Sequence, residues 1–114
     1  MERLEFEGHT VVVTGGSQGI GAAVAEAFAA VGAKIVVHYR SNKEAADSVV
    51  SRISAAGGTA VALSARLDVG SEVDAFFAAV RDAYGATTIL INNAGAFPNS
   101  ALLDMTEDEW RRMY

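Results

Sequence analysis

The segment Thr14-Gly15-Gly16-Ser17-Gln18-Gly19-Ile20-Gly21 places four glycines within eight residues, directly after the β-branched run Thr10-Val11-Val12-Val13. A glycine turn between a strand and a helix suits one kind of chemistry. The first N–H groups of a helix have no partner inside it, and the helix dipole makes that end attractive to an anion. Each glycine has its own use. Gly15 turns the chain off the strand, Gly19 removes a Cβ so that the backbone can approach a pyrophosphate, and Gly21 allows close packing of the helix on the sheet. The spacing is selective. A P-loop needs Lys-Ser/Thr after its last glycine, but Ala22-Ala23 stand there. The GxGxxG fingerprint fails as well, because Ala22-Ala23-Val24 follow Gly21. What stands is TGxxxGIG, and its place after the first strand favours a phosphate role over packing alone.

Further polar candidates fall where later strands end. Arg40-Ser41 follow the second, Asp68-Val69 the third and Asn92-Asn93-Ala94-Gly95 the fourth. Each has an ordinary alternative: a solvated loop side chain for Arg40, a turn carboxylate for Asp68, and turn formers for the asparagines. His9 and His38 make no metal or triad spacing with anything nearby and read as surface or strand-end residues.

The elements that position these residues show in two alternating hydrophobic periods. After the first strand, Ile20, Val24, Ala27, Phe28 and Val31 recur at helical spacing, and Gly32 closes that helix. Lys34 to His38 is a second strand. Ser41 or Asn42 can cap a helix carrying Ala46, Val49, Val50 and Ile53 on one face, and this helix ends at Gly57-Gly58. Thr59 to Leu63 is a third strand. Ser71 is the expected N-cap of a third helix with Val73, Phe76, Phe77 and Val80 inward and Gly85 beyond its end. Thr88 to Ile91 is a fourth strand. Thr106 with Glu109 forms a capping box for another helix. Alternating β and α elements predict a doubly wound parallel α/β sheet of the Rossmann type, order 3-2-1-4, with residues 1–114 as one domain.

TGGSQGIG, Asp68-Val69 and Asn92-Asn93-Ala94-Gly95, in that order, resemble the cofactor motifs of the short-chain dehydrogenase/reductase family, over nearly the whole chain. The resemblance implies that Gly15, Gly16, Ser17, Gln18, Gly19, Ile20 and Gly21 cradle the pyrophosphate of a nicotinamide dinucleotide. It also implies that Asp68 accepts from the adenine amino group, that Val69 packs on the adenine, and that Asn92, Asn93, Ala94 and Gly95 line the cofactor cleft or support the sheet. The family's Asn, Ser and Tyr-x-x-x-Lys have no counterparts here, so the chain is expected to be the cofactor-binding, amino-terminal half, without turnover of its own. Tyr39-Arg-Ser-Asn-Lys43 has the Tyr-x-x-x-Lys spacing but lies at the adenosine end, more than ~10 Å from where proton transfer over ~3 Å is needed.

The second strand ends in His38-Tyr39-Arg40-Ser41-Asn42, without the carboxylate that would accept from a ribose 2′-hydroxyl. Arg40 can instead fork onto a 2′-phosphate, with Ser41 adding a donor, which favours NADP(H) over NAD(H). Gln18 departs from the basic residue that many NADP-preferring relatives carry in the glycine turn.

Net charge is −5 and the basic residues are scattered, Arg111-Arg112 included, which leaves no footprint for nucleic acid. There is no cysteine, hence no disulfide framework or thiolate metal site. No apolar run approaches the ~20 residues that span a bilayer, and a cytoplasmic protein is expected. Two other readings remain open. One is a non-catalytic module that self-associates, as a dimer, through the exposed edge of Ile89-Leu90-Ile91. The other is a methyltransferase-type site on a related sheet.

Overall fold

Short runs rich in valine and isoleucine form the central strands of the protein, with the alanine-containing run of residues 59–64 at one edge. The computed structural model describes residues 5–93. In chain order the elements are β1 (Thr10–Val13), α1 (Gly19–Ala30), β2 (Lys34–Tyr39), α2 (Lys43–Ala55), β3 (Thr59–Ser64), α3 (Gly70–Tyr84) and β4 (Ile89–Ile91). All pairings are parallel and the strand order is β3-β2-β1-β4, as the alternating periods predict. Val11, Val12 and Val13 sit opposite Ile35, Val36 and Val37 on one side and opposite Ile89, Leu90 and Ile91 on the other.

Strand side chains alternate between the two faces, so the same run supplies two cores. Val11, Val13, Ile35, Val37 and Ile91 pack with Ala22, Ala25, Ala29, Ala46, Val49 and Ile53 from α1 and α2. Val12, Val36 and Leu90 pack on the other face with Val73, Phe76, Phe77 and Val80 of α3. The sheet is therefore covered on both sides, and the covering helix changes face between β3 and β4. This change makes the gap between β1 and β4 the switch point, where ligands bind on open α/β sheets.

Three local expectations need correction. The buried stripe of α1 is Gly21, Ala22, Ala25 and Ala29, while Ile20 is 66 % exposed and Ala27 faces solvent. Small residues let the helix lie close to the strands, so the larger side chains flank the contact. Second, α3 begins at Gly70 after Val69, with no side-chain cap, so Ser71 is inside the helix. Glu72 instead reaches back to accept from the Arg66 backbone N–H at 2.7 Å. Third, His38 is buried, 3 % exposed. For α2 the cap is Asn42, whose side chain accepts from the Ala45 N–H at 3.0 Å. The helix expected from Thr106 and the residues Ala94, Gly95 and Arg111-Arg112 lie outside the described residues. No helix among the described residues is long and apolar enough to cross a membrane.

Candidate functional site

At the switch point, Thr14 directly follows β1 and is buried, 1 % exposed, against the exit of β4. Its hydroxyl accepts from the Asn93 N–H at 2.8 Å and faces Asn92 Oδ1 at 3.2 Å and the Ile91 carbonyl at 3.4 Å. Its backbone N–H donates to the Ile91 carbonyl at 3.0 Å. Asn93 Nδ2 donates to the Gly15 carbonyl at 3.3 Å. The exits of β1 and β4 are thus tied together before the helix starts. Asn92 is buried, and its Nδ2 has no hydrogen-bond partner among the described residues.

The glycines now have separate physical reasons. Gly15 and Gly19 take φ of +62° and +56°, the left-handed region that favours glycine. A Cβ on Gly19 would meet nothing, so its conformation and not its space requires glycine there. Gly21 is the reverse: a Cβ would collide with the Gly15 carbonyl oxygen and lie 2.6 Å from Asn93 Nδ2. It permits contact with the turn and the β4 exit, more than with the sheet itself. Gln18 occupies the N-cap position with extended backbone and no side-chain cap bond. Consequently the N–H groups of Gly19, Ile20 and Gly21 have no backbone or side-chain acceptor among the described residues. Gln18, Gly19 and Ile20 are exposed, Ser17 half-buried and Gly16 buried. Among the described residues Ile20 is the large apolar side chain most open to solvent, at the start of α1.

His38 lies at the strand end, as one of the two expectations had it, but it is buried and hydrogen-bonded instead of facing solvent. Its Nδ1 accepts from the Gly15 N–H at 2.9 Å, its carbonyl accepts from the Gly16 N–H at 3.0 Å, and its Nε2 reaches the Ala65 carbonyl at 2.9 Å. Burial holds its imidazole below the usual histidine range, partly opposed by the bond to Ala65. The available signal was its position directly after Ile35-Val36-Val37, at the end of the buried run of β2.

Arg40, Ser41 and Asp68 are exposed, and Val69 is half-buried. A bond from its own backbone N–H, then the Arg66 guanidinium at 3.1 Å, hold the Asp68 carboxyl below the ordinary carboxylate range, and Arg40 adds to this. Arg40 and Asp68 therefore share one electrostatic neighbourhood at the C-terminal ends of β2 and β3. Tyr39 and Lys43 flank this same end, away from the β1–β4 gap. Among the described residues no cluster of three or more histidine, cysteine or acidic residues could hold a metal.

Glycine turn, acidic loop and asparagine exit together occupy the carboxyl ends of a parallel sheet with order β3-β2-β1-β4, which is the arrangement of a dinucleotide-type nucleotide-binding fold. Residues 9–114 match the short chain dehydrogenase family, and the chain belongs to that family. An uncharacterized oxidoreductase of Methylorubrum extorquens is 41 % identical over 110 residues, covering 96 % of this chain and 44 % of that protein. The 3β-hydroxysteroid dehydrogenase 1 of Eggerthella lenta is 41 % identical over 109 residues, covering 96 % and 42 %. A metagenomic short-chain oxidoreductase solved in complex with NADP superposes with a TM-score of 0.75 at 38 % identity, covering 80 % of this chain and 41 % of that one. The chain thus spans less than half the length of these relatives.

Proposed function

We propose that residues 1–114 form the dinucleotide-binding domain of a short-chain dehydrogenase/reductase that exchanges hydride between NADP(H) and a carbonyl or alcohol substrate. The observation that carries this reading is the bare start of α1. Three successive N–H groups lack acceptors among the described residues, behind a turn that Gly15 and Gly19 hold at positive φ. An anion seated there gains charge-assisted hydrogen bonds and the helix dipole. The exposed Ile20 beside it gives an apolar surface that a bound ligand would cover.

In this reading Gly15, Gly16, Ser17, Gln18, Gly19, Ile20 and Gly21 hold the diphosphate. Arg40 and Ser41 take the ribose 2′-phosphate, Asp68 and Val69 the adenine, and Asn93, Ala94 and Gly95 the far side of the cleft. The ionised state of Asp68 leaves it an acceptor, as an amino group requires. The preference for the phosphorylated cofactor rests on Arg40 at the end of β2 with no carboxylate beside it. The cofactor supplies the hydride; the residues of this chain bind and orient its adenosine diphosphate part and make no turnover alone. A cytoplasmic setting goes with the reading.

The test is a calorimetric titration with NADPH, NADH and S-adenosylmethionine. Saturable binding of NADPH, weaker for NADH, supports the assignment. Binding of S-adenosylmethionine with neither dinucleotide overturns it. A second reading, self-association through β4 as a dimer, draws support from β4 pairing only with β1 among the described residues. Sedimentation equilibrium of the same sample distinguishes a dimer from a monomer.

A further inference from the structure

His38 bridges two parts of the candidate site that belong to different strands. A backbone N–H only donates and a backbone carbonyl only accepts. With Nδ1 facing the Gly15 N–H and Nε2 facing the Ala65 carbonyl, the ring must be neutral with its proton on Nε2. The Phe76 ring packs edge-on against the imidazole, 5.5 Å away between centroids at 86°, and His38 is 3 % exposed. The side chain and carbonyl of this single residue thereby absorb the amides of both Gly15 and Gly16. Those amides are thereby taken up inside the protein, whereas those of Gly19, Ile20 and Gly21 at the start of α1 have no acceptor among the described residues. Ala65 lies three residues before Asp68, so its carbonyl anchors the segment that carries the adenine candidates.

We propose that His38 is a positioning residue for the cofactor site, a neutral imidazole that locks the glycine turn after β1 to the segment after β3 and so sets the distance between the diphosphate and adenine ends. The proposal rests on the cofactor reading above. It differs from a packing role in that the two nitrogens hold two separate segments of the chain, one for each end of the proposed ligand. His38→Asn keeps an acceptor near the Nδ1 position and loses the reach to Ala65. His38→Gln keeps a donor near the Nε2 position and loses the acceptor for Gly15.

The experiment uses inorganic pyrophosphate and adenosine 2′-monophosphate as probes of the two ends, with NADPH as the whole ligand, each followed by amide NMR titration. His38→Asn is expected to bind pyrophosphate within about threefold of the wild type and the adenosine monophosphate about tenfold more weakly; His38→Gln is expected to do the reverse. Both lose about tenfold for NADPH. Equal losses on both probes in both variants, or no loss in either, overturn the proposal and leave a packing histidine. Should neither variant fold, ring ¹⁵N shifts of the wild type decide. A protonated Nε2, with Nδ1 moving on addition of pyrophosphate, supports the proposal, and a ring unaffected by pyrophosphate overturns it. A wild-type chain that ignores NADPH but has the expected ring tautomer instead overturns the cofactor reading, and this proposal with it.

Discussion

Gly21 and the Asn93 side chain exclude any larger residue between them: a Cβ on Gly21 would lie 2.6 Å from Asn93 Nδ2, and the Gly15 carbonyl would block it from the other side. The obstacle includes backbone, which cannot rotate away. Gly21→Ala should therefore lower stability by about 1–3 kcal/mol, despite the roughly 1 kcal/mol that alanine gains over glycine in a helix interior. NADPH binding should fall with it, because the displaced Gly15 carbonyl shifts the turn. Gly70, the first residue of α3, has open space where its Cβ would stand. Gly70→Ala should leave stability unchanged or raise it by up to about 1 kcal/mol. Urea unfolding of both variants checks the contrast; equal behaviour of the two would mean that the β1–β4 contact is loose.

Arg40 is exposed at the end of β2 and acts electrostatically on Asp68. A guanidinium gives a 2′-phosphate a charge-assisted fork that a 2′-hydroxyl cannot use. Arg40→Ala should weaken NADPH roughly tenfold or more and leave NADH nearly unchanged. Raising the salt concentration should narrow the wild-type preference in the same direction, since the group is solvated. Parallel titrations with the two dinucleotides at two ionic strengths read this directly. Equal loss for both cofactors would move the discrimination elsewhere.

Much of the architecture was legible because each strand announced itself by composition. Thr10-Val11-Val12-Val13 and Ile35-Val36-Val37 are β-branched runs without polar interruption, which only a strand buried on both faces accommodates. The inward residues of α3, Val73, Phe76, Phe77 and Val80, were equally plain, since their size leaves them no other place. The α1 face was harder. Hydrophobic periodicity weights large side chains, and the buried stripe consists of glycine and alanine.

The site was legible where glycine spacing constrained it and illegible where hydrogen bonding did. Nothing in TGxxxGIG says which residue receives the Gly15 and Gly16 amides, because that acceptor is His38, 23 positions from Gly15 in the chain. Ser71 was a reasonable cap by residue type, but Glu72 already reaches Arg66, which secures the approach to α3 with a bond from inside the helix.

The buried ring of His38 gives the protein an acid-sensitive element. Burial lowers its pKa from the 6.5 of an unperturbed side chain, the Ala65 carbonyl opposing this in part. Below about 6.5 the unfolded chain takes up a proton that the folded chain resists, so the unfolded state binds more protons and stability rises with pH. The contribution is whole above that value and is lost as pH falls toward the folded-state pKa. Denaturation midpoints at about pH 7.5 and 5.5 should therefore fall more for the wild type than for His38→Asn, which has no titrating ring. Parallel slopes would mean that the ring is protonated as readily folded as unfolded.

Asn42 closes the opposite approach to the site. Its side chain accepts from the Ala45 N–H at 3.0 Å and fixes the first turn of α2, directly after Arg40 and Ser41. The bond is exposed, so water can replace it, and the loss in Asn42→Ala should be near 1 kcal/mol, in line with other N-cap deletions. The same substitution leaves the Ala45 amide free at a helix N-terminus, close to the proposed 2′-phosphate position. It adds no charge, however, and Arg40 keeps the fork. The ratio of NADPH to NADH affinity should stay within about twofold of the wild type while stability falls. Chemical denaturation with paired titrations separates the two effects. A collapse of the ratio without loss of stability would show that Asn42, and not Arg40, reads the 2′ position.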